Sequence, residues 1–174
     1  ETPALIRARK ARGALAGRGM DECVTWSFMP ASLAARFAAN DRGVSDQNLS
    51  PALTLKNPIS ADLDQMRPSI LPNLMTAALR NAARGYQDCA LFEIGPVFRS
   101  TDPDGQRLVA AGLRSGAATP RHWATKEPGR STDLFDVKAD ALAILRACGA
   151  PADNLQIVRE APGFYHPGRS ASLR

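Results

Sequence analysis

Two strand-like segments separated by a strong turn signal constrain the fold more than any other feature of this sequence. They cover residues 90–99 and 107–114, and the residues between them include Thr101-Asp102-Pro103-Asp104-Gly105. Asp, Pro and Gly favour tight turns. The second segment is therefore predicted to return antiparallel to the first, as a β-hairpin.

Side-chain alternation divides the first segment of this hairpin between two faces. One face carries Phe92, Ile94 and Phe98, and the other carries Glu93, Val97 and Arg99. The first face is predicted to lie in the core. Pro96 has no backbone N–H, so it predicts a strand edge, a bulge or a bend at that position.

The rest of the chain alternates between helical and strand-like patterns. Helices are predicted at residues 4–18 (ending at Gly19), 32–39, 71–82 (ending at Gly85) and 133–148. Short strands are predicted at residues 23–29, 52–55, 155–158 and 171–173, and loops at 42–51 and 116–131. Helices that surround an antiparallel hairpin are typical of an α+β fold.

Composition excludes several classes of protein. The 174 residues fit one globular domain, 1–174, and contain no run of eighteen apolar residues and no secretory signal pattern. A cytoplasmic location is therefore predicted. The three cysteines, Cys23, Cys89 and Cys148, are widely spaced and odd in number, which favours free thiols over a disulfide framework or a zinc site.

The first predicted helix is rich in basic residues, within a chain of net charge +5. The cluster comprises Arg7, Arg9, Lys10, Arg12 and Arg18. Its simplest interpretation is a solvated helix face, because charged side chains are mostly at the surface. An RNA-contacting helix and a mitochondrial transit peptide are the alternatives.

Catalytic signatures are sparse. The dinucleotide, phosphate-loop, zinc-protease and serine-hydrolase motifs are absent, and Gly168-Arg169-Ser170 matches only the start of a nucleophile elbow. His166 lies between two predicted strands and is interpreted as a hydrogen-bonded turn residue. Arg99 ends a strand, where a guanidinium could bind an anion or simply be solvated.

Five blocks of sequence resemble the beta subunit of bacterial phenylalanyl-tRNA synthetase. They occur in the order found in that family and span most of the chain. The blocks are Leu55-Lys56-Asn57-Pro58-Ile59-Ser60, Met66-Arg67-Pro68-Ser69-Ile70-Leu71-Pro72-Asn73-Leu74, Leu91-Phe92-Glu93-Ile94-Gly95-Pro96-Val97-Phe98-Arg99, Asp133-Leu134-Phe135-Asp136-Val137-Lys138 and Phe164-Tyr165-His166-Pro167-Gly168-Arg169-Ser170-Ala171.

The resemblance implies a class II synthetase fold, with an antiparallel sheet flanked by helices. It also implies a catalytic-like module that assembles with the catalytic alpha subunit in a heterotetramer, where ATP, magnesium and tRNA belong to the holoenzyme. The family's editing and anticodon-binding-type domains have no counterpart in this sequence. We therefore expect the chain to be a fragment of a longer subunit.

Arg99 falls where the resemblance places the arginine of class II motif two. A working motif two has an acid two positions later, but Thr101 stands there, and no glycine-rich motif three follows. The sequence therefore predicts no catalytic, cofactor-binding or metal-binding residues in this chain. Pro96 is a second departure, because the family pattern has Arg in Gly-Arg-Val-Phe.

Two other functions compete with the non-catalytic subunit module. One is a free-standing RNA-binding module that uses the basic first helix. The other is a small ligase with Arg99 as its phosphate clamp. An acid close to Arg99 would favour activation chemistry, whereas a large exposed apolar patch would favour a subunit interface.

Overall fold

The fold is α+β in a computed structural model that describes residues 1–38, 51–119, 123–124 and 129–174. The helices are α1 Pro3–Ala16, α2 Ala31–Phe37, α3 Leu71–Ala83 and α4 Leu134–Ala147. The strands are β1 Asp21–Glu22, β2 Phe28–Met29, β3 Gln65–Met66, β4 Cys89–Phe98, β5 Gln106–Ser115, β6 Ile157–Val158 and β7 Ser172–Leu173. Within the described residues, no helix is both long and apolar enough to span a membrane.

The described residues form two compact units. The first comprises Glu1–Cys23, Leu74–Ile94 and Ala110–Ala152, and the second comprises Val24–Asn73, Gly95–Val109 and Asp153–Arg174. Strands β4 and β5 each contribute residues to both units. The single domain expected over residues 1–174 therefore remains a prediction.

The predicted hairpin is present. β4 and β5 are neighbours in a three-stranded sheet of order β1-β4-β5. Their connection spans only residues 99–105, and a link this short joins antiparallel strands. β1 adds a short parallel edge, pairing Asp21 with Leu91 and Glu22 with Phe92.

The core of the first unit forms on one side of this sheet. Phe92 is completely buried, and it clusters with Leu15 of α1 and with Met20. Ile94 and Ile144 pack against the same cluster. The prediction that Phe92 and Ile94 lie on a core-facing side is therefore confirmed.

The second face of β4 is also covered by other segments. Glu93 and Val97 on this face are both buried. Phe98, predicted to be buried, is only partly so. Alternation assigns side chains to faces correctly, but it does not say how much of each face is covered by other segments.

Helix boundaries follow local capping chemistry. α1 begins at Pro3 after Thr2, whose hydroxyl accepts a hydrogen bond from Leu5 N–H at 3.4 Å. Gly19 follows with φ of +73°, a left-handed conformation that glycine adopts without cost. This is the helix end that the sequence predicted.

α4 begins with a complete capping box. The Asp133 carboxylate accepts from Phe135 and Asp136 N–H, and the Asp136 carboxylate accepts from Asp133 N–H. The Arg130 guanidinium donates two hydrogen bonds, of 2.7 and 2.6 Å, to the Asp136 carboxylate. The helix predicted at residues 133–148 is confirmed.

The predicted strand over residues 23–29 is mostly wrong. Only Phe28–Met29 pairs, with β3. Val24 is 92% exposed and Trp26 is also exposed, so these alternate positions of the segment do not face a core. The Trp26 carbonyl accepts from side chains instead of from a neighbouring strand, so the alternating pattern does not become a ladder.

The strand predicted at residues 52–55 is also wrong. Pro51–Leu53 forms a 3₁₀ turn, and Thr54 makes an isolated bridge to Gln65. Proline at the first turn position fixes φ and favours that turn over a strand. The loop predicted at 42–51 lies outside the described residues except for Pro51, as does part of the loop at 116–131.

The C-terminal strands are confirmed. β6 and β7 pair antiparallel, with Ile157 opposite Leu173 and Val158 opposite Ser172. The link between them contains the predicted turn around His166. Gly168 N–H donates to His166 Nδ1 at 3.1 Å, so the imidazole acts as a local turn acceptor.

Candidate functional site

The end of β4 places Arg99 beside the hairpin turn of the second unit. Arg99 N–H donates to Gly105 C=O at 2.9 Å, so the guanidinium starts from a fixed strand end. The turn requires glycine at 105, because a Cβ there would lie 2.1 Å from Ser100 Oγ and 2.7 Å from Ser100 N. The sequence-predicted site residue is thus exposed at the tip of a well-specified hairpin.

The electrostatic environment of Arg99 is cationic. Partial burial, and secondarily the positive charge of Arg107, lower the pKa of the Arg99 guanidinium. Such an arrangement suits an anion and leaves the charge on a surface that water can reach.

The side chains that follow Arg99 decide whether the described part of this strand end could position ATP and magnesium. Thr101 carries a hydroxyl where motif two has a carboxylate. The nearby Asp102 carboxylate accepts from Ser100 Oγ at 3.4 Å, within its own turn. Among the described residues, no group of three His, Cys, Asp or Glu side chains could hold a metal ion. The described residues around Arg99 therefore do not fit an ATP–magnesium site.

Arg67 is hydrogen-bonded to β4, the strand that ends next to Arg99. The sequence alone assigns no function to Arg67. Its side chain is only 1% exposed. Arg67 Nε donates to Pro96 C=O at 2.8 Å, and Nη1 donates to Thr25 Oγ1 at 3.0 Å and to Trp26 C=O at 3.4 Å. The planar Arg67 guanidinium thereby links β4 to the segment before β2 through hydrogen bonds.

The contacts of Arg67 also explain the proline in β4. Phe98 N–H donates to the Arg67 carbonyl at 2.9 Å, while Pro96 C=O accepts from the Arg67 side chain. Residues two apart in a strand direct their backbone groups to the same edge. The missing N–H of Pro96 therefore faces Arg67 and not β5, so the hairpin loses no ladder bond.

One feature of the sequence could have indicated that Arg67 is buried. It is the only charged residue between Asp64 and Arg80, within a long apolar segment. A lone charge in such a segment is either exposed by a bend or buried with several acceptors. Periodicity alone cannot choose between these two outcomes.

Three of the five basic residues in the N-terminal cluster have carboxylate partners. Arg9 pairs with Glu1 at 3.1 Å, Arg12 pairs with Glu22 at 2.5 Å, and Arg18 pairs with Asp140. The surface pairs contribute little stability. They do, however, neutralise much of the positive patch that the sequence suggested.

The buried Asp140 forms a network with two arginines in the first unit. Arg114 binds it through two hydrogen bonds, Nε to Oδ2 at 2.6 Å and Nη2 to Oδ1 at 3.1 Å, and Arg18 binds Oδ1 as well. These bonds to Asp140 raise the pKa of Arg114. Arg114 Nη2 also donates to Arg18 C=O at 3.0 Å, which fixes the end of α1.

The cysteines are free in the structure, as the sequence predicted. Burial is the main cause of a raised pKa at Cys23, and Glu93 adds to it. The thiol form is therefore favoured over the reactive thiolate.

Comparison with known families now adds to this geometry. The family model for the phenylalanyl tRNA synthetase beta chain CLM domain matches residues 1–174, the whole chain. The chain belongs to this family. The resemblance drawn from the five sequence blocks is thereby confirmed.

Curated relatives support the same assignment. Phenylalanine–tRNA ligase beta subunits from Rhodospirillum rubrum and Paramagnetospirillum magneticum are each 52% identical over 173 residues, covering 99% of this chain. The beta subunit from Bradyrhizobium diazoefficiens is 46% identical over 177 residues. The CLM-domain chain spans only about a fifth of these relatives, 20%, 20% and 21% of their length.

Solved structures confirm the class II synthetase fold of this CLM domain. Two structures of pyrrolysyl-tRNA synthetase from Desulfitobacterium hafniense match with TM-scores of 0.59 and 0.61. They are 19% and 18% identical, and the matches cover 88% and 89% of this chain and 47% and 50% of theirs. At this level of identity the likeness concerns the fold alone.

Proposed function

We propose that this chain is a non-catalytic module of the beta subunit of a phenylalanine–tRNA ligase. In this proposal the module supports assembly with the catalytic alpha subunit, and the holoenzyme charges tRNA with phenylalanine at the expense of ATP. The observation that carries the proposal is a family match over the whole chain, combined with Thr101 at the position of the motif-two acid.

Absence of the motif-two carboxylate favours a structural role over a catalytic one. Arg99 keeps its place at a strand end, but the acid that would complete the phosphate site is replaced by a hydroxyl. A fold can persist after its site has lost its chemistry. ATP, magnesium and phenylalanine are accordingly proposed to bind to the alpha subunit, within a cytoplasmic heterotetramer.

Exposed apolar side chains support an assembly role in each unit. In the first unit, Leu134, Phe135 and Val137 are exposed at the start of α4. In the second unit, Val24 and Trp26 are exposed. Contiguous exposed apolar residues commonly mark protein interfaces.

The alternative of a free-standing RNA-binding module receives less support. It relied on the basic α1, but internal carboxylates pair with Arg9, Arg12 and Arg18. Phosphate neutralisation by Lys and Arg dominates nucleic-acid affinity. A helix whose charges are already balanced is a weak electrostatic anchor for RNA.

Pyrophosphate exchange with the complete enzyme tests the proposal. Full-length beta subunit carrying Arg99→Ala is assembled with alpha subunit, and phenylalanine-dependent exchange with ATP is compared with wild type. We expect an unchanged rate and no exchange by the 174-residue chain alone. A loss of 100-fold or more in a variant that still co-purifies with alpha would show that Arg99 takes part in activation, and robust exchange by the isolated chain would contradict the proposal.

Arg107→Ala serves as the matched control for Arg99→Ala. It removes a second exposed guanidinium from the same hairpin without touching the motif-two position. Equal effects of both variants would indicate a change in hairpin charge. An effect confined to Arg99→Ala would indicate a specific contact with the reacting groups.

A further inference from the structure

We draw no further inference here: the strongest candidate, the partly open apolar cavity of the first unit between α1, β5 and α4, lined in part by Leu15, Leu113 and Ala141, carries no proposal because nothing in the structure shows what fills or covers it.

Discussion

Removing the Arg67 guanidinium should destabilise the second unit by an amount that can be worked from its contacts. Arg67→Met keeps most of the side-chain volume and deletes the hydrogen bonds of the guanidinium to Pro96, Thr25 and Trp26. The Trp26 carbonyl retains a donor, because Asn73 Nδ2 lies 3.2 Å away. The main loss is therefore at Pro96 and Thr25.

The expected cost follows from those two groups. A buried acceptor left without a donor costs about 1–3 kcal/mol, and a hydrogen bond to a charged group contributes about 1.5–3 kcal/mol. Relief of guanidinium desolvation offsets part of this. We expect Arg67→Met to lower the free energy of unfolding by about 3 kcal/mol, and Thr25→Val by about 1–2 kcal/mol.

A double-mutant cycle isolates the bond between Arg67 and Thr25. Since each single variant deletes the same bond, the double variant should be less destabilised than the sum by about 1 kcal/mol. Urea unfolding of the purified chain, followed by far-UV circular dichroism, measures all four proteins. Additivity within about 0.3 kcal/mol, or a cost of Arg67→Met below about 1 kcal/mol, would refute the role given to Arg67.

Three further variants test the first unit. Asp140→Asn should cost about 3 kcal/mol, because it leaves Arg114 without its carboxylate; a urea midpoint equal to wild type would contradict the network. Phe92→Ala should cost about 3–5 kcal/mol, since the ring is completely buried, and a loss below about 1 kcal/mol would place the ring outside the core. Hydrogen bonds from Arg130 and from Asp133 N–H depress the pKa of Asp136. The stability that Asp136 contributes is therefore present above its unfolded pKa, about 3.9, and is lost as the pH falls towards the folded value. Asp136→Asn should flatten the fall in Tm between about pH 5 and pH 2, and an unchanged Tm profile would contradict this sign.

Local signals in the sequence account for most helix boundaries and for the hairpin. Pro3, Gly19, Gly85 and Asp133 act within a few residues of the backbone they control, so their effects can be predicted without knowing the fold. The hairpin is also determined locally, because its turn residues alone reverse the direction of the chain. The family could also be recognised, since its blocks are contiguous runs.

Tertiary contacts explain the predictions that failed. Residues 23–29 alternate like a strand, but Arg67 and Asn73, more than forty positions away, take the Trp26 carbonyl. Asp140 lies on the buried side of α4 because Arg114 and Arg18 reach it from other elements. Neither set of contacts produces a periodic pattern in the sequence.

The candidate site likewise combines features that the sequence predicts with features that only the fold determines. Arg99 and the missing acid at Thr101 can be read from a motif, because both lie within one hairpin. Arg67, which holds that hairpin, cannot be assigned a role from spacing.

Binding of full-length beta subunit to the alpha subunit tests the central claim most directly. A specific subunit interface buries about 800 Å² per partner, whereas a phosphate-based RNA contact weakens steeply with salt. We predict that a beta subunit lacking this module loses alpha binding, and that the complete subunit retains it at salt concentrations that abolish tRNA binding to the isolated chain. Undiminished alpha binding without the module, together with salt-sensitive tRNA binding by the chain, would contradict the account.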